Sequence, residues 1–270
     1  MRFLLFGTGD YYGRYKKWFP KQDIVALLDN AVVKQHTIID GLEVLSPEEG
    51  IRLDYDVIVI LSFYVDQMRR QLLSLGVDKG RIVHFYSLRK LLGDYRPVRP
   101  VRYYLEAGKA AGAVPSGKPG ILLMSNELTF GGPPIALFHA AMVLKRAHYR
   151  VICASAIDGP LREKFTENGI PVIVDENLQL STMKETAWTH AFQLIICNTL
   201  NFHVFLSERD TRVYVIWWLH DARFFYDGVD VEAMRQISME NLQMLSVGPV
   251  PETAVKEFIP EAHCGRLLYN

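Results

Sequence analysis

The sequence predicts an α/β fold in which two doubly wound, mainly parallel sheets follow each other along the chain. Short apolar runs suited to buried parallel strands alternate with helix-like segments from one end of the chain to the other. A segment rich in proline and glycine, residues 94–118, interrupts this series. We therefore expect a first domain at residues 1–93, a linker at 94–118 and a second domain at 119–270.

Composition narrows the class of protein. The 270 residues suffice for two domains of ordinary size, and the 49% apolar and 22% charged content is typical of globular proteins. Thirty basic residues balance thirty acidic ones, so no overall field attracts nucleic acid, and we expect no nucleic-acid partner.

Cysteine usage and hydropathy suggest a compartment. Three widely spaced cysteines without a C-x-x-C pair argue against a disulfide framework or a zinc site. No apolar run approaches the roughly eighteen residues of a transmembrane helix. We expect a cytoplasmic protein that at most contacts the inner face of the membrane. The linker contains three closely spaced arginines, Arg96, Arg99 and Arg102. They are expected to belong to a solvated linker, and a contact with anionic lipid is the alternative.

The start of the first domain carries a glycine motif. A predicted strand, Arg2 to Phe6, runs directly into this motif, and a second strand, Ile24 to Leu28, ends at an acid. In the dinucleotide fingerprint, glycines let the backbone approach a pyrophosphate, and an acid about 20 residues later accepts from a ribose hydroxyl. We predict a nucleotide or NAD site formed by Gly7, Gly9, Gly13 and Asp29. The third glycine falls one place later than in that fingerprint. The alternative is therefore a Rossmann scaffold that binds no nucleotide and keeps its glycines for helix–strand packing.

The remainder of the first domain reads as alternating helices and strands. We expect helices at Tyr15 to Phe19, after Ser46 and at Asp66 to Leu75, and strands at Asp56 to Leu61 and Arg81 to Phe85. The runs 28–30, 40–44, 56–60, 75–76 and 81–83 resemble small Rossmann domains of bacterial sugar-modifying proteins. Examples of that group are the front domains of sugar O-acyltransferases and the nucleotide half of nucleotide-sugar dehydratases. No Ser/Lys/Tyr arrangement of the short-chain kind is found, so we predict a binding or docking domain.

The second domain opens with one βαβ unit. Ile121 to Met124 is a predicted strand, Ile135 to Leu144 a predicted helix, and a polar loop with Gly131-Gly132 joins them. Glycines beside a helix N-terminus let the backbone approach an anion such as a diphosphate. Counted from Ser125 through Gly132, the loop also exceeds the roughly 2–6 residues of ordinary βα connections, which favours a ligand-binding role.

Polar residues follow three predicted strands of the second domain. They are Ser125-Asn126-Glu127, Asn198-Thr199 and His220-Asp221. The carboxyl ends of parallel strands share one edge of a sheet, so these groups are expected to line one crevice. We also expect helices at Pro160 to Asn168, after Ser181 and at Val231 to Asn241.

The strand, polar loop, Gly-Gly pair and apolar helix, followed by His-Asp after a later strand, resemble the N-terminal domain of retaining GT-B glycosyltransferases. The likeness covers residues 120–270 and implies a nucleotide-sugar donor, a glycan or lipid-linked acceptor, and a role in polysaccharide biosynthesis. It implies catalytic roles for His220 and Asp221. It implies substrate binding by Gly131, Gly132, Asn126, Asn198 and Thr199.

The resemblance also implies a C-terminal donor domain after the closing Tyr269-Asn270, so residues 1–270 are expected to be inactive alone. Transfer is expected to need no cofactor, and the second domain contains no Asp-x-Asp pair to hold a metal ion. Two alternatives stay open. One is a non-catalytic tandem Rossmann-like module used for binding or assembly. The other is an NAD-dependent protein that modifies nucleotide-sugars.

Overall fold

The computed structural model describes residues 1–93, 97–107 and 120–267. The chain divides into two compact units, Met1–Pro97 with Asp227–Val229 and Val98–Tyr226 with Asp230–Asn270. Each unit has its own mainly parallel sheet covered by helices, which confirms the predicted fold class.

The first unit contains a six-stranded sheet in the order β3-β4-β2-β1-β5-β6. Its strands are β1 (Phe3–Phe6), β2 (Ile24–Leu28), β3 (Ile38–Ile39), β4 (Leu42–Leu45), β5 (Val57–Ile60) and β6 (Ile82–His84). All neighbours pair in parallel except β3 and β4, which form an antiparallel hairpin that the sequence did not predict. Because β1, β2 and β5 are buried on both faces, their sequences are continuously apolar.

The helices of the first unit are Asp10–Tyr15, Pro47–Gly50, Val65–Ser74 and Leu88–Leu92. Ser46 and Glu49 form a capping box at the second of these, as the Ser-Pro-Glu-Glu sequence indicates. The expected helix at Tyr15 to Phe19 is wrong. The α-helix begins at Asp10, immediately after Gly9, and a single 3-10 turn at Lys16–Trp18 follows it before Pro20.

The second unit contains an eight-stranded sheet in the order β14-β13-β12-β11-β8-β9-β10-β7. Its strands are β7 (Arg102–Tyr104), β8 (Gly120–Glu127), β9 (Arg150–Ile157), β10 (Val172–Val174), β11 (Leu194–Asn198), β12 (Tyr214–Leu219), β13 (Leu242–Ser246) and β14 (Cys264–Arg266). Every pairing is parallel except that of β7 with β10. The carboxyl ends of the parallel strands therefore share one edge.

Within the described part of the second unit, the α-helices with given bounds are Gly132–Arg146, Leu161–Glu167, His203–Ser207, Val231–Gln236 and Pro249–Lys256. The first packs against β8 and β9 and buries Leu137 beside Leu123 and Phe165. Full burial of such a side chain contributes about 1.5–3 kcal/mol. The core therefore fixes where this helix begins relative to the end of β8.

Two predicted helices differ from the structure. No α-helix follows Ser181; the backbone N–H groups of Glu185, Thr186 and Thr189 donate instead to carbonyls three residues earlier. The helix expected at Val231 to Asn241 ends at Gln236, because Ile237 adopts an extended backbone with ψ 114°.

The segment predicted as a linker has only residues 97–107 within the described structure, and Arg96 lies outside it. The described part is not simply solvated, since β7 adds an antiparallel edge strand beside β10. Arg99 exchanges hydrogen bonds with Asn177 and forms an ion pair with Glu176 at 3.2 Å. Among the described residues, no helix combines the length and the apolar character needed to cross a bilayer.

Candidate functional site

Polar side chains lie next to each other at the carboxyl edge of the second sheet. The register places Ser125 of β8 opposite Ser155 of β9 and opposite Asn198 of β11. All three side chains are buried, although strands of this kind normally bury apolar residues. The row lies at the edge of the sheet where the sequence predicts a crevice.

Asn198 connects this floor to the glycine pair. Its Nδ2 donates to the carbonyl oxygen of Pro133 at 2.8 Å, in the first turn of the helix Gly132–Arg146. Its Oδ1 is buried and has no hydrogen-bond partner among the described residues. A buried amide oxygen without a donor costs about 1–3 kcal/mol. Asn198 thus offers an unused acceptor close to the start of that helix.

Thr199 has a strained backbone. Its φ of 85° and ψ of 165° lie in a region that is essentially restricted to glycine, and a β-branched residue there is a rare outlier. Hydrogen bonds hold the strain in place: Thr199 donates its N–H to Trp218 at 2.8 Å, and its carbonyl accepts from the Trp217 indole at 2.9 Å. Such strain costs about 1–3 kcal/mol and tends to occur at functional sites.

Asp221 links the loops that follow β11 and β12. Its Oδ2 accepts the backbone N–H of Leu200 at 2.7 Å, so it fixes the turn immediately after the strained Thr199. Burial raises the pKa of Asp221 to about 6, although the N–H of Leu200 partly offsets this effect. At neutral pH the side chain is still mostly a carboxylate. Its observed contact is therefore that of a positioning residue.

His220 lies beside Asp221 and is partly buried. Its ring packs at 4.6 Å from the Trp218 ring, measured between centroids. Burial lowers the pKa of His220 to about 4, so the imidazole is neutral at physiological pH. A neutral imidazole offers one donor and one acceptor nitrogen, but no positive charge. His220 is therefore suited to a hydroxyl group rather than to neutralising a diphosphate.

The glycine pair differs from the sequence-based expectation. Strand β8 continues to Glu127, so the connecting loop is Leu128 to Gly131 and falls within the ordinary length of about 2–6 residues. The loop-length argument for ligand binding is thus wrong. The backbone N–H of Gly131 donates to Thr129 Oγ1 at 3.3 Å, and Pro133 and Pro134 have no N–H. Among residues 131–134, at the start of the helix, Gly132 alone supplies an N–H that could face an anion.

The polar residues predicted at this edge of the sheet include acids but no bases. Glu127 and Asp221 carry carboxylates, Asn126 and Asn198 carry amides, and none of the predicted second-domain site residues is a lysine or arginine. Carboxylates and amides bind hydroxyl groups well, whereas a diphosphate needs cations or several N–H donors. This set of side chains therefore favours a polyhydroxylated group over a phosphate.

The structure adds one residue that the sequence reading missed. A Cβ on Gly159 would lie 2.3 Å from the carbonyl oxygen of Leu128, so the loops after β8 and β9 meet only because position 159 is glycine. The Asp-Gly-Pro sequence at 158–160 is a turn signal that could have indicated this tight passage. Gly159 thus fixes the loop that precedes Gly131.

The first unit has a separate cavity of about 420 Å³ at the ends of β1, β2 and β5. Gly7 lines it with a φ of 112°, and a Cβ there would lie 2.5 Å from the carbonyl oxygen of Leu61. Gly9 and Asp29 also line the cavity. Gly13 lies within the helix Asp10–Tyr15 and outside that lining. The structure thus brings three of the four predicted residues together.

Asp29 is held by its own chain. Its Oδ2 accepts from the backbone N–H and hydroxyl of Thr8 and from Lys34 Nζ at 3.0 Å, and its Oδ1 accepts from Ala31 at 2.9 Å. Burial favours the neutral acid, but these hydrogen bonds outweigh it, and the pKa of Asp29 falls below its usual value. The carboxylate is therefore charged and already well coordinated. Among the described residues, no three His, Cys, Asp or Glu side chains cluster as metal ligands would.

Two family models match separate parts of the chain. Residues 117–246 match the model of Glycosyl-transferase family 4. Residues 1–83 match the model described as C2185-like, N-terminal. A search of curated proteins finds no match. The second unit is thus similar to the domain of family 4 glycosyltransferases, and this similarity supports a glycosyltransferase-type function.

Proposed function

We propose that the second unit is the acceptor-side part of a glycosyltransferase that moves a sugar from a nucleotide-sugar donor to a hydroxyl of a glycan or lipid-linked acceptor. The match of residues 117–246 to the family 4 model carries this proposal. The predicted site residues support it, since their carboxylate and amide groups can bind the hydroxyl groups of an acceptor.

In the proposed reaction, the bond between the donor's anomeric carbon and the phosphate oxygen breaks, and a bond to the acceptor oxygen forms. The acceptor's proton goes to the leaving diphosphate. We assign the unused Oδ1 of Asn198 to an acceptor hydroxyl and the neutral imidazole of His220 to a hydroxyl of the donor sugar. Asp221 positions both loops through its bond to Leu200.

The negative charge that develops on the leaving diphosphate needs fixed dipoles or cations. Gly132 is the one N–H donor left at the start of its helix, and the crevice residues named above include no lysine or arginine. We therefore propose that the groups that hold the diphosphate come from outside this crevice, as a facing donor domain would supply them.

The proposal is tested by a transfer assay with the protein as its gene encodes it, so that any segment outside residues 1–270 is included. Labelled UDP-glucose, UDP-galactose, UDP-N-acetylglucosamine and GDP-mannose serve as donors, and extracted cell lipids and glycans serve as acceptors. We expect label to move from one of these donors to an acceptor. We expect residues 1–270 alone to give no transfer. If no donor supports transfer, the assignment to a glycosyltransferase is wrong. If residues 1–270 suffice, the proposal that the diphosphate is held by groups from outside this crevice is wrong.

A further inference from the structure

The cavity of the first unit combines features that nucleotide binding does not explain. The charged residues of its lining are Asp10, Asp29 and Lys34, so two carboxylates face one ammonium group. Lys34 Nζ already lies 3.0 Å from Asp29 Oδ2 and 3.1 Å from Thr8 Oγ1. A diphosphate entering this cavity would meet more negative than positive charge. The ammonium group of this lining is therefore already paired with Asp29 and offers little to neutralise a diphosphate.

Aromatic rings form one side of the same cavity. Tyr11 and Phe63 meet edge to face with ring centroids 4.5 Å apart, which fixes the orientation of both rings. Phe63 is 40% exposed, and the neighbouring Tyr64 is 70% exposed. Large exposed aromatic side chains beside a concave surface commonly serve binding. The C–H face of a sugar ring packs well on such a surface.

Polar groups complete the lining. Gln67 lies on the helix Val65–Ser74 and lines the cavity together with Thr8, Asp10 and Asp29. Their amide, hydroxyl and carboxylate groups donate to or accept from alcohol hydroxyls. The neighbouring Asn30 amide is instead fixed by two reciprocal hydrogen bonds of 2.9 Å with Gln71, which makes the rim rigid.

We infer that this cavity binds an uncharged saccharide. Its volume of about 420 Å³ falls within the range of small-molecule sites, roughly 300–1,000 Å³. Hydroxyl groups of the sugar bind Gln67 and Asp10, and its C–H face packs on Phe63 and Tyr64. The inference concerns the first unit alone and holds whether or not the second unit transfers sugar. A glycan-binding domain in front of a catalytic domain would keep the acceptor chain close.

The inference is tested by saturation-transfer difference NMR with the whole 270-residue chain. The saccharide probes are the methyl β-glycosides of glucose, galactose, mannose, N-acetylglucosamine and N-acetylgalactosamine. Uridine, uridine diphosphate and NAD are the nucleotide probes. We expect at least one glycoside to bind and the three nucleotide probes not to bind at this cavity.

Tyr64→Ala should weaken glycoside binding about tenfold, because it removes the most exposed ring of the cavity. The matched control is Tyr103→Ala, which removes a 53% exposed tyrosine from strand β7 of the other unit and should leave binding unchanged. Three results would overturn the inference: no glycoside binds, glycoside binding is the same in Tyr64→Ala, or a nucleotide probe binds and loses affinity in Tyr64→Ala.

Discussion

Replacing His220 by alanine is expected to lower the turnover of sugar transfer about 100-fold, the scale on which loss of one positioned polar group at a reacting centre acts. The imidazole is neutral, since burial lowers its pKa to about 4, so the loss concerns a hydrogen bond and not a positive charge. The measurement is kcat for transfer by the protein as its gene encodes it, at saturating donor and acceptor.

The matched control for this prediction is His139→Ala. His139 lies exposed on the helix Gly132–Arg146, and its removal should leave kcat unchanged. The melting temperature of His220→Ala should also stay close to that of the wild type, since the side chain is only partly buried. Wild-type kcat in His220→Ala would mean that His220 has only a structural role beside Trp218.

Replacing Gly7 by alanine is expected to destabilise the first unit by about 3 kcal/mol, combining the cost of a positive φ with that of overpacking. The φ of 112° is unfavourable for any residue with a Cβ, and the added methyl group would lie 2.5 Å from the carbonyl oxygen of Leu61. Because that atom belongs to the backbone of the loop after β5, a side-chain movement cannot relieve the clash. Urea unfolding followed by circular dichroism measures the change.

Gly9→Ala is the internal control, two residues away in the same loop. Gly9 has a φ of −88°, and nothing lies within 4 Å of a Cβ placed there. Its substitution should change the free energy of unfolding by less than about 0.5 kcal/mol. Equal midpoints for the Gly7 and Gly9 variants would show that the loop after β1 does not have the conformation described here.

The parallel sheets and their shared edge could be predicted because they depend on local pattern and on a general rule. Apolar runs such as 57–60 are buried on both faces, and right-handed crossovers bring their carboxyl ends together. This is why Ser125, Asn198 and His220, far apart in the chain, were expected at one crevice. The hairpin of β3 and β4 was missed because its strands are short and Val44 is the one buried residue in them.

Other features depend on tertiary context and could not be read from the sequence. The polar residues Ser125 to Glu127 looked like a loop, but hydrogen bonding to β9 extends the strand through them. Nothing local indicates that Thr199 takes a glycine-like conformation. The groups that hold it, the carbonyl of Trp218 and the indole N–H of Trp217, lie on the neighbouring strand. Likewise, the glycine motif at Gly7 predicts a nucleotide site, which stays a prediction, and it does not indicate the aromatic side of the cavity, which only the fold assembles.

The central claim is that the crevice at the carboxyl edge of the second sheet holds the acceptor, and Gly131→Ala tests it most directly. Gly131 has an ordinary φ of −70°, and a Cβ there would meet Thr129 Oγ1 at 3.4 Å and Pro134 Cδ at 3.6 Å, so the fold should accept it. The added methyl group would lie on the loop that leads into the helix Gly132–Arg146, whose first turn accepts a hydrogen bond from Asn198. We predict that KM for the acceptor rises about tenfold while KM for the nucleotide-sugar stays the same. An unchanged acceptor KM in a folded Gly131→Ala protein would contradict the claim.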